Sequence, residues 1–359
     1  MKILRPISIL ASGLMLTASA VAQVSLSPPG TETPPAASKP TAKAKPKPPA
    51  AAKKPAAATP NPAAAPVAPA ATVTPAPVPD DPNVDLVFGA YQRGQYKTTF
   101  DLATKRAQEN GDPKAMTMLG ELYANALGIK RDYARAAEWY KRAADGGDRE
   151  GMFALAMLRL AGHGGPVNRE EAVKLLASSA KLGNPKAAYN LALLYLDGQT
   201  LPQDLRRSAE LLRLAADAGN AEAQYALATF YKEGTGVPKD LEKAVRLLQA
   251  ASLADNVDAE VEYAIALYNG TGTPKNQAAA VALLRKAAKQ NSPIAQNRLA
   301  WVLVNGQGAP TDKIEGFKWH IVAKTAGKGD PILDEAMAQL SPEDRAKAEA
   351  AARGWLGTK

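Results

Sequence analysis

The chain has no cysteine, which excludes thiolate catalysis, disulfides and cysteine-based metal sites. Histidine is almost missing as well: His163 and His320 are the only two, which argues against a zinc centre. No acidic pair stands at a fixed spacing from a nucleophile and a base, so no catalytic triad can be assembled. No catalytic residue, metal ligand or cofactor site emerges, and the chain is expected not to be an enzyme. The apolar run from Ile7 to Ala18 is too short to span a bilayer comfortably.

Positive charge is in excess, +9 over 359 residues, but not where a nucleic-acid surface needs it. Lys2 and Arg5 lie at the N-terminus. Lys39, Lys43, Lys45, Lys47, Lys53 and Lys54 face the single acid Glu32 between residues 23 and 79. From Asp80 onward only a slight excess remains, and a nucleic-acid footprint requires basic residues clustered on a folded face. No nucleic-acid partner is expected.

Residues 1–22 read as a secretory signal peptide. Lys2 and Arg5 form its charged start, the apolar run follows, and Ala20-Val21-Ala22 is a small-x-small cleavage site before Gln23. With no cysteine after the run, a lipoprotein anchor is excluded. Cleavage near Ala22 places the mature chain in the periplasm or outside the cell. Residues 23–83 hold seventeen of the 28 prolines, mixed with Ala, Thr and Lys. Such a segment buries too little apolar surface to offset its ordering entropy, so a disordered linker of polyproline type is expected, roughly 190 Å long if fully extended. Its lysines suit weak contact with anionic envelope polymers; the plainer reading is a solubilising tether.

The remainder is organised by a repeat. From Asp112 to Gly327 one 36-residue unit recurs six times without insertion or deletion, and a fixed period of this size marks a solenoid. Each unit predicts two helices. The first begins at the column Asp112, Asp148, Asn184, Asn220, Asn256, Ser292, all side chains that cap free N–H groups. Pro113, Pro185 and Pro293 follow at the first helical position. A large apolar column (Leu119, Leu155, Leu191, Leu227, Tyr263, Leu299) stands beside a small one (Gly120, then Ala156, Ala192, Ala228, Ala264, Ala300), which lets a neighbouring helix approach closely. A glycine loop such as Gly234-Thr235-Gly236-Val237-Pro238 ends the first helix. These loops are not phosphate cradles, because no Gly-Lys-Ser/Thr follows. Asp132, Asn168, Asp204, Asp240, Asn276 and Asp312 form the second cap column. The second helix carries Leu175-Leu176 and its counterparts up to Leu283-Leu284, and it ends at Gly147, Gly183, Gly219, Asp255, Asn291 or Gly327.

Residues 84–111 read as a degenerate capping pair of helices. Residues 328–359 break the period, with Pro331 and Ser341-Pro342 bracketing one helix and starting another. Ala346, Ala350 and Trp355 give this last helix a weak apolar stripe that is expected to cover the final repeat. His163 sits in a loop, Gly162-His163-Gly164-Gly165, and is expected to be exposed. His320 shares the column of Tyr140, Leu176, Leu212, Leu248 and Leu284, a core position, and is expected to pack or hydrogen-bond against the C-terminal cap.

The unit resembles the Sel1-like repeat, a relative of the tetratricopeptide repeat. The resemblance rests on Ala115, Leu119-Gly120, Tyr123, Ala136-Ala137, Trp139-Tyr140 and Ala143-Ala144, and on the fourth unit's Ala223, Leu227-Ala228, Tyr231, Gly234-Thr235-Gly236-Val237, Asp240, Lys243-Ala244, Leu247-Leu248 and Ala251. It covers residues 112–327. Departures fall at Arg159, in place of a tyrosine, and at Ala126 and Thr200, each in place of a loop glycine. The resemblance implies an all-α, right-handed α-solenoid acting as a scaffold or adaptor. Exported bacterial members often regulate envelope signalling or exopolysaccharide production, or organise envelope machinery.

In tetratricopeptide-like arrays the first helices line the concave face. By that analogy one groove column is Thr117, Phe153, Tyr189, Tyr225, Val261, Asn297, and the next is Glu121, Met157, Leu193, Thr229, Ile265, Trp301. Phe153, Tyr189, Tyr225 and Trp301 are the candidate partner-binding residues, as large amphipathic rings often anchor interfaces. The alternative is that these rings only pack between adjacent first helices. The expected partner is another protein, a periplasmic or membrane sensor or other envelope protein. A cell-wall or polysaccharide-binding module is the second hypothesis, prompted by the lysine-bearing tether and the aromatic groove. A hydrolase is the weakest, for lack of any motif.

Overall fold

The computed structural model describes residues 85–357. The segments read above as signal peptide and linker, residues 1–83, lie outside the described residues. Sixteen α-helices follow one another, and no strand occurs among the described residues. α1 (Leu86–Gln92) and α2 (Tyr96–Asn110) precede the repeats. The six units pair α3 (Pro113–Asn125) with α4 (Tyr133–Asp145), α5 (Arg149–Ala161) with α6 (Arg169–Lys181), α7 (Pro185–Asp197) with α8 (Leu205–Asp217), α9 (Ala221–Glu233) with α10 (Leu241–Leu253), α11 (Val257–Asn269) with α12 (Gln277–Lys289), and α13 (Pro293–Asn305) with α14 (Lys313–Thr325). α15 (Pro331–Ala338) and α16 (Pro342–Gly357) end the array. From α1 to α14 each helix packs on the next, α15 and α16 both pack on α14, and the first helices α3 and α5 also touch.

Both cap columns act as their chemistry dictates. Every member accepts a backbone N–H of its helix's first turn, from Asn220 Oδ1 and Ala223 N at 2.7 Å to Ser292 Oγ and Ala295 N at 3.4 Å, and from Asp204 and Arg207 N at 2.8 Å to Asn168 and Glu171 N at 3.0 Å. Such caps satisfy donors the helix cannot satisfy itself. Between the helices the chain folds back in one way throughout. The N–H of each second cap donates to a carbonyl of the first helix, as Asp240 N does to Tyr231 O at 2.9 Å and Asp312 N to Leu303 O at 2.9 Å. At the end of the first helix the backbone is left-handed in every unit, including Ala126 at φ 56°, where glycine is absent. Asp255 and Asn291 likewise hold positive φ at the close of the second helix; short polar side chains tolerate that region at low cost.

The core follows the columns. Leu119, Leu155, Leu191, Leu227 and Leu299 are buried, and so is the small column beside them. In the first unit the small residue is Gly120 because the facing position is Tyr140, where the next four units have leucine. A Cβ on Gly120 would fall on the Tyr140 ring. The second loop glycine has an equally specific cause. Gly128, Gly164, Gly236, Gly272 and Gly308 all have positive φ. Each lies against the first residue of the preceding unit's second helix: Tyr96, Tyr133, Leu205, Leu241 and Gln277. At Gly164, Gly236 and Gly272 an added Cβ would collide with that residue's carbonyl. Thr200 occupies this position in the third unit without positive φ. Its loop instead turns Leu201 onto the core and ties Gln203 Nε2 to the Leu196 carbonyl at 2.9 Å.

The second unit absorbs its other departure through charge. Arg159 reaches across to α6, where its Nε meets Glu171 Oε2 at 2.9 Å. That Glu171 oxygen also accepts from the side chain of its own cap, Asn168, at 3.0 Å.

The end of the array is sealed by Trp319, fully buried in α14, against Trp355 of α16, with centroids 5.1 Å apart and planes at 68°. The buried stripe of α16 is Ala348 and Ala352, which fall with Trp355 on one helical face; Ala346 and Ala350 are exposed. The expected stripe was therefore out of register. The periodicity of this alanine-rich helix is too weak to select a face, and the tryptophan contact selects it instead. His320 is fully buried, as its column requires, and its Nε2 lies 2.8 Å from Asp334 Oδ1 in α15. Lys324 Nζ meets the same carboxylate at 2.8 Å.

Two outcomes follow for stability. Gly236→Ala adds a Cβ against the Leu205 carbonyl as well as left-handed strain, whereas Gly219→Ala adds only strain, with open space around it. Urea denaturation should show a loss of about 1 kcal/mol for Gly219→Ala and at least about 3 kcal/mol for Gly236→Ala. Equal losses would refute the close-approach role. The second outcome concerns pH. Hydrogen bonds from Lys324 and then His320 hold Asp334 below its ordinary pKa of 3.8. A carboxyl with a depressed folded pKa stabilises above its unfolded value and ceases to do so as pH falls through the folded one. Docking of α15, followed by tryptophan fluorescence, should weaken as pH drops below about 3.8, and Asp334→Asn should lose that dependence.

Candidate partner-binding face

On the first helices the positions equivalent to Ala187, Leu191, Ala192 and Leu194 are buried, except at Tyr263, which is half-buried. The positions equivalent to Tyr189 and Leu193 are half-buried in every unit except at Val261, which is buried. Helical spacing puts these last two columns on one face, continued by the residues at the second and thirteenth helical positions. A half-exposed stripe therefore runs along α3, α5, α7, α9, α11 and α13.

The four candidate rings sit on this stripe with different surroundings. Phe153 and Tyr189 are half-buried against the central core cluster that holds Leu191 and Leu212. Tyr225 packs on the next cluster, with Leu248 and Ala259. Trp301 is half-buried, and its indole N–H donates to Asp330 Oδ2 at 2.8 Å, which ties it to the cap of α15. None touches another of the four: ring contacts among the described residues pair Tyr91 with Tyr96, Phe100 with Tyr123, Tyr133 with His163, and Trp319 with Trp355. Each ring thus spends one side on packing and keeps an edge on the stripe.

The middle of the stripe is acidic. Burial, then the charges of Glu262, Asp258 and Glu233, push the Tyr225 phenol up to about 12. Burial and then Glu222 raise Tyr189. Among these carboxylates Glu262 has a cation, Lys232 Nζ at 3.1 Å.

At the N-terminal end α1, α3 and α5 line a pocket of about 360 Å³ that no local sequence pattern marks. Val87, Phe88, Tyr91 and Met118 supply its apolar wall, and Glu121 lies among its lining residues. Glu121 accepts the Tyr140 hydroxyl at 3.0 Å and the Asn125 amide at 2.7 Å. Burial and then the Glu121 charge raise the Tyr91 phenol. One signal was available: Glu121 is the only charged member of a column that otherwise reads Met, Leu, Thr, Ile, Trp.

His163 is not the freely exposed loop residue expected. Its ring is half-buried and stacks on Tyr133 of the preceding unit at 4.4 Å. Among the described residues no group of three or more His, Asp or Glu side chains is placed to hold a metal ion.

A row of capped helix pairs with an unspent stripe along its first helices defines a tetratricopeptide-like α-solenoid of the interaction-scaffold class. The Sel1 repeat pattern matches residues 113–148, 149–184, 185–220, 221–256, 257–292 and 293–328, and the chain belongs to the Sel1 repeat family. Such proteins generally bind other proteins, and the scaffold is typically non-catalytic. The fold is similar to the crystal structure of a Sel1 repeat protein from Oxalobacter formigenes, with TM-score 0.58 and 27% identity over 72% of this chain and 77% of that one. It is also similar to that of c5321, a protective antigen of uropathogenic Escherichia coli strains, with TM-score 0.63 and 23% identity over 77% of this chain. The match spans 64% of the length of the E. coli protein. No curated protein matches the sequence.

The raised Tyr225 phenol generates a check on this face. A group whose folded pKa is raised contributes stability that is complete below its unfolded pKa and disappears as pH rises through the folded one. The window here runs from pH 10.0 to about 12. Tyr225→Phe should therefore flatten the decline of the urea midpoint across that window. An unchanged decline would place the phenol in water, away from the carboxylates.

Proposed function

We propose that this chain is an exported, non-enzymatic scaffold whose first-helix stripe binds another protein of the bacterial envelope. The observation that carries the proposal is the stripe itself: the columns of Ala187, Ala192 and Leu194 are buried in every unit, whereas these two keep an edge exposed in almost every unit. Phe153, Tyr189, Tyr225 and Trp301 are its anchors, with Trp301 also holding α15. The charged start, apolar run and Ala-Val-Ala ending of residues 1–22 support export. A periplasmic or membrane sensor is the partner class that fits an adaptor in that compartment, and regulation of envelope signalling or of exopolysaccharide production is the role that would follow.

The test is site-specific photo-crosslinking of the full chain in envelope preparations. A crosslinker at Leu193 should give one discrete protein adduct, while one at Leu214, which is 58% exposed on α8, should give none. Tyr189→Ala with Tyr225→Ala should cut partner affinity by about 30-fold, the loss of at least one interface hot spot, with the helical signal retained. Loss of helical structure with an unaltered adduct would assign the rings to packing alone.

A further inference from the structure

The pocket at the N-terminal end of the stripe carries an uncompensated carboxylate. Glu121 has two neutral donors, Tyr140 and Asn125, and no cation pairs with it among the described residues. Three cations, Arg106, Lys114 and Arg149, also line the pocket, and none is paired with Glu121. Arg106 is paired with Asp85 at 3.1 Å and with Asp112 at 2.5 Å. Arg149 donates to the carbonyls of Leu182 and Gly183 at 3.1 and 3.3 Å. Lys114 is the second residue of the helix that carries Glu121, about 10 Å along its axis, and forms no ion pair with it among the described residues. A half-buried carboxylate whose only side-chain partners are neutral gains from a cation that brings charge-assisted hydrogen bonds.

The walls specify the rest of the occupant. Phe88 is 48% exposed, an unusual state for a phenylalanine, and it stands with Tyr91 and Met118 beside the carboxylate. Apolar walls leading to an anion match a side chain with an aliphatic stem and a cationic head. About 360 Å³ lies at the lower end of ligand-pocket sizes, room for one long side chain and too little for a folded element.

We infer that this pocket receives a lysine or arginine side chain of the bound partner, its stem against Phe88, Tyr91 and Met118 and its head on the Glu121 carboxylate. The inference rests on the protein-binding reading above and names the chemistry of the partner's anchor: a basic residue entering at the N-terminal end of the stripe.

The experiment is an NMR titration of the full chain, labelled at methionine methyls and phenylalanine rings, with N-acetyl-arginine methylamide and with its uncharged isostere N-acetyl-citrulline methylamide. The arginine amide should shift Met118 and Phe88 saturably. The citrulline amide should bind at least tenfold more weakly, and Glu121→Gln should weaken the arginine amide by a similar factor. Phe88→Ala, which removes an exposed wall, should weaken it severalfold without lowering the melting temperature. Equal affinity for the two amides, measured on the unaltered chain, overturns the inference whatever the variants do. A Leu193 crosslink without any arginine response leaves the scaffold standing and removes this anchor. An arginine response without any crosslink does the reverse, keeping a cation pocket and removing the scaffold.

Discussion

The structure depends on one close approach. In five of the six units a loop residue without a side chain lies against the first turn of the preceding second helix, near enough at Gly164, Gly236 and Gly272 that a Cβ would strike backbone. That contact sets the distance between successive units, and the leucine and alanine columns interlock at the distance it sets. Neither helix of a pair could bury its apolar stripe alone. Only when the loop seats on its neighbour do Leu191, Leu212 and Leu227 meet in one cluster. Where the glycine is lost, at Thr200, the chain turns Leu201 inward and braces the loop with Gln203, so the third unit reaches the same helix pairing by another contact.

This arrangement separates folding from recognition on the surface of a single helix. Caps, the buried leucines and the small column are committed to stacking. The half-exposed columns are free to differ, and they do: a phenylalanine, two tyrosines and a tryptophan share them with Thr117, Glu121 and Asn297. The charges differ along the same line. Carboxylates crowd Tyr225 in the middle, Glu121 stands without a counter-charge at one end, and at the other Trp301 is fastened to Asp330. A ligand lying along the stripe meets a graded sequence of environments on a regular scaffold.

Much of this was legible in the residues, because repetition turns a weak local signal into a strong one. Six caps in register predict a helix start better than one, and both cap columns hold throughout. Ala126, Asp255 and Asn291 keep positive φ because their neighbours impose it. What repetition does not cover was harder to read. The partner of His320 is Asp334, beyond the last unit. The face of α16 is chosen by Trp319 and not by its own alanines. His163 finds Tyr133 one unit back. The Glu121 pocket joins helices separated by tens of residues, and only its odd place in a mostly apolar column hinted at it. In each case the deciding partner lies outside the local pattern.

The same spacing contact also governs how such a chain can change in length. Adding or deleting a whole unit leaves each loop facing the helix start it was built to meet. Adding a single residue within a helix turns the rest of that helix's apolar column by about 100° and moves the loop that follows off its seat. Length in this architecture is therefore quantised in steps of one helix pair, and reach along a partner can be altered only by counting.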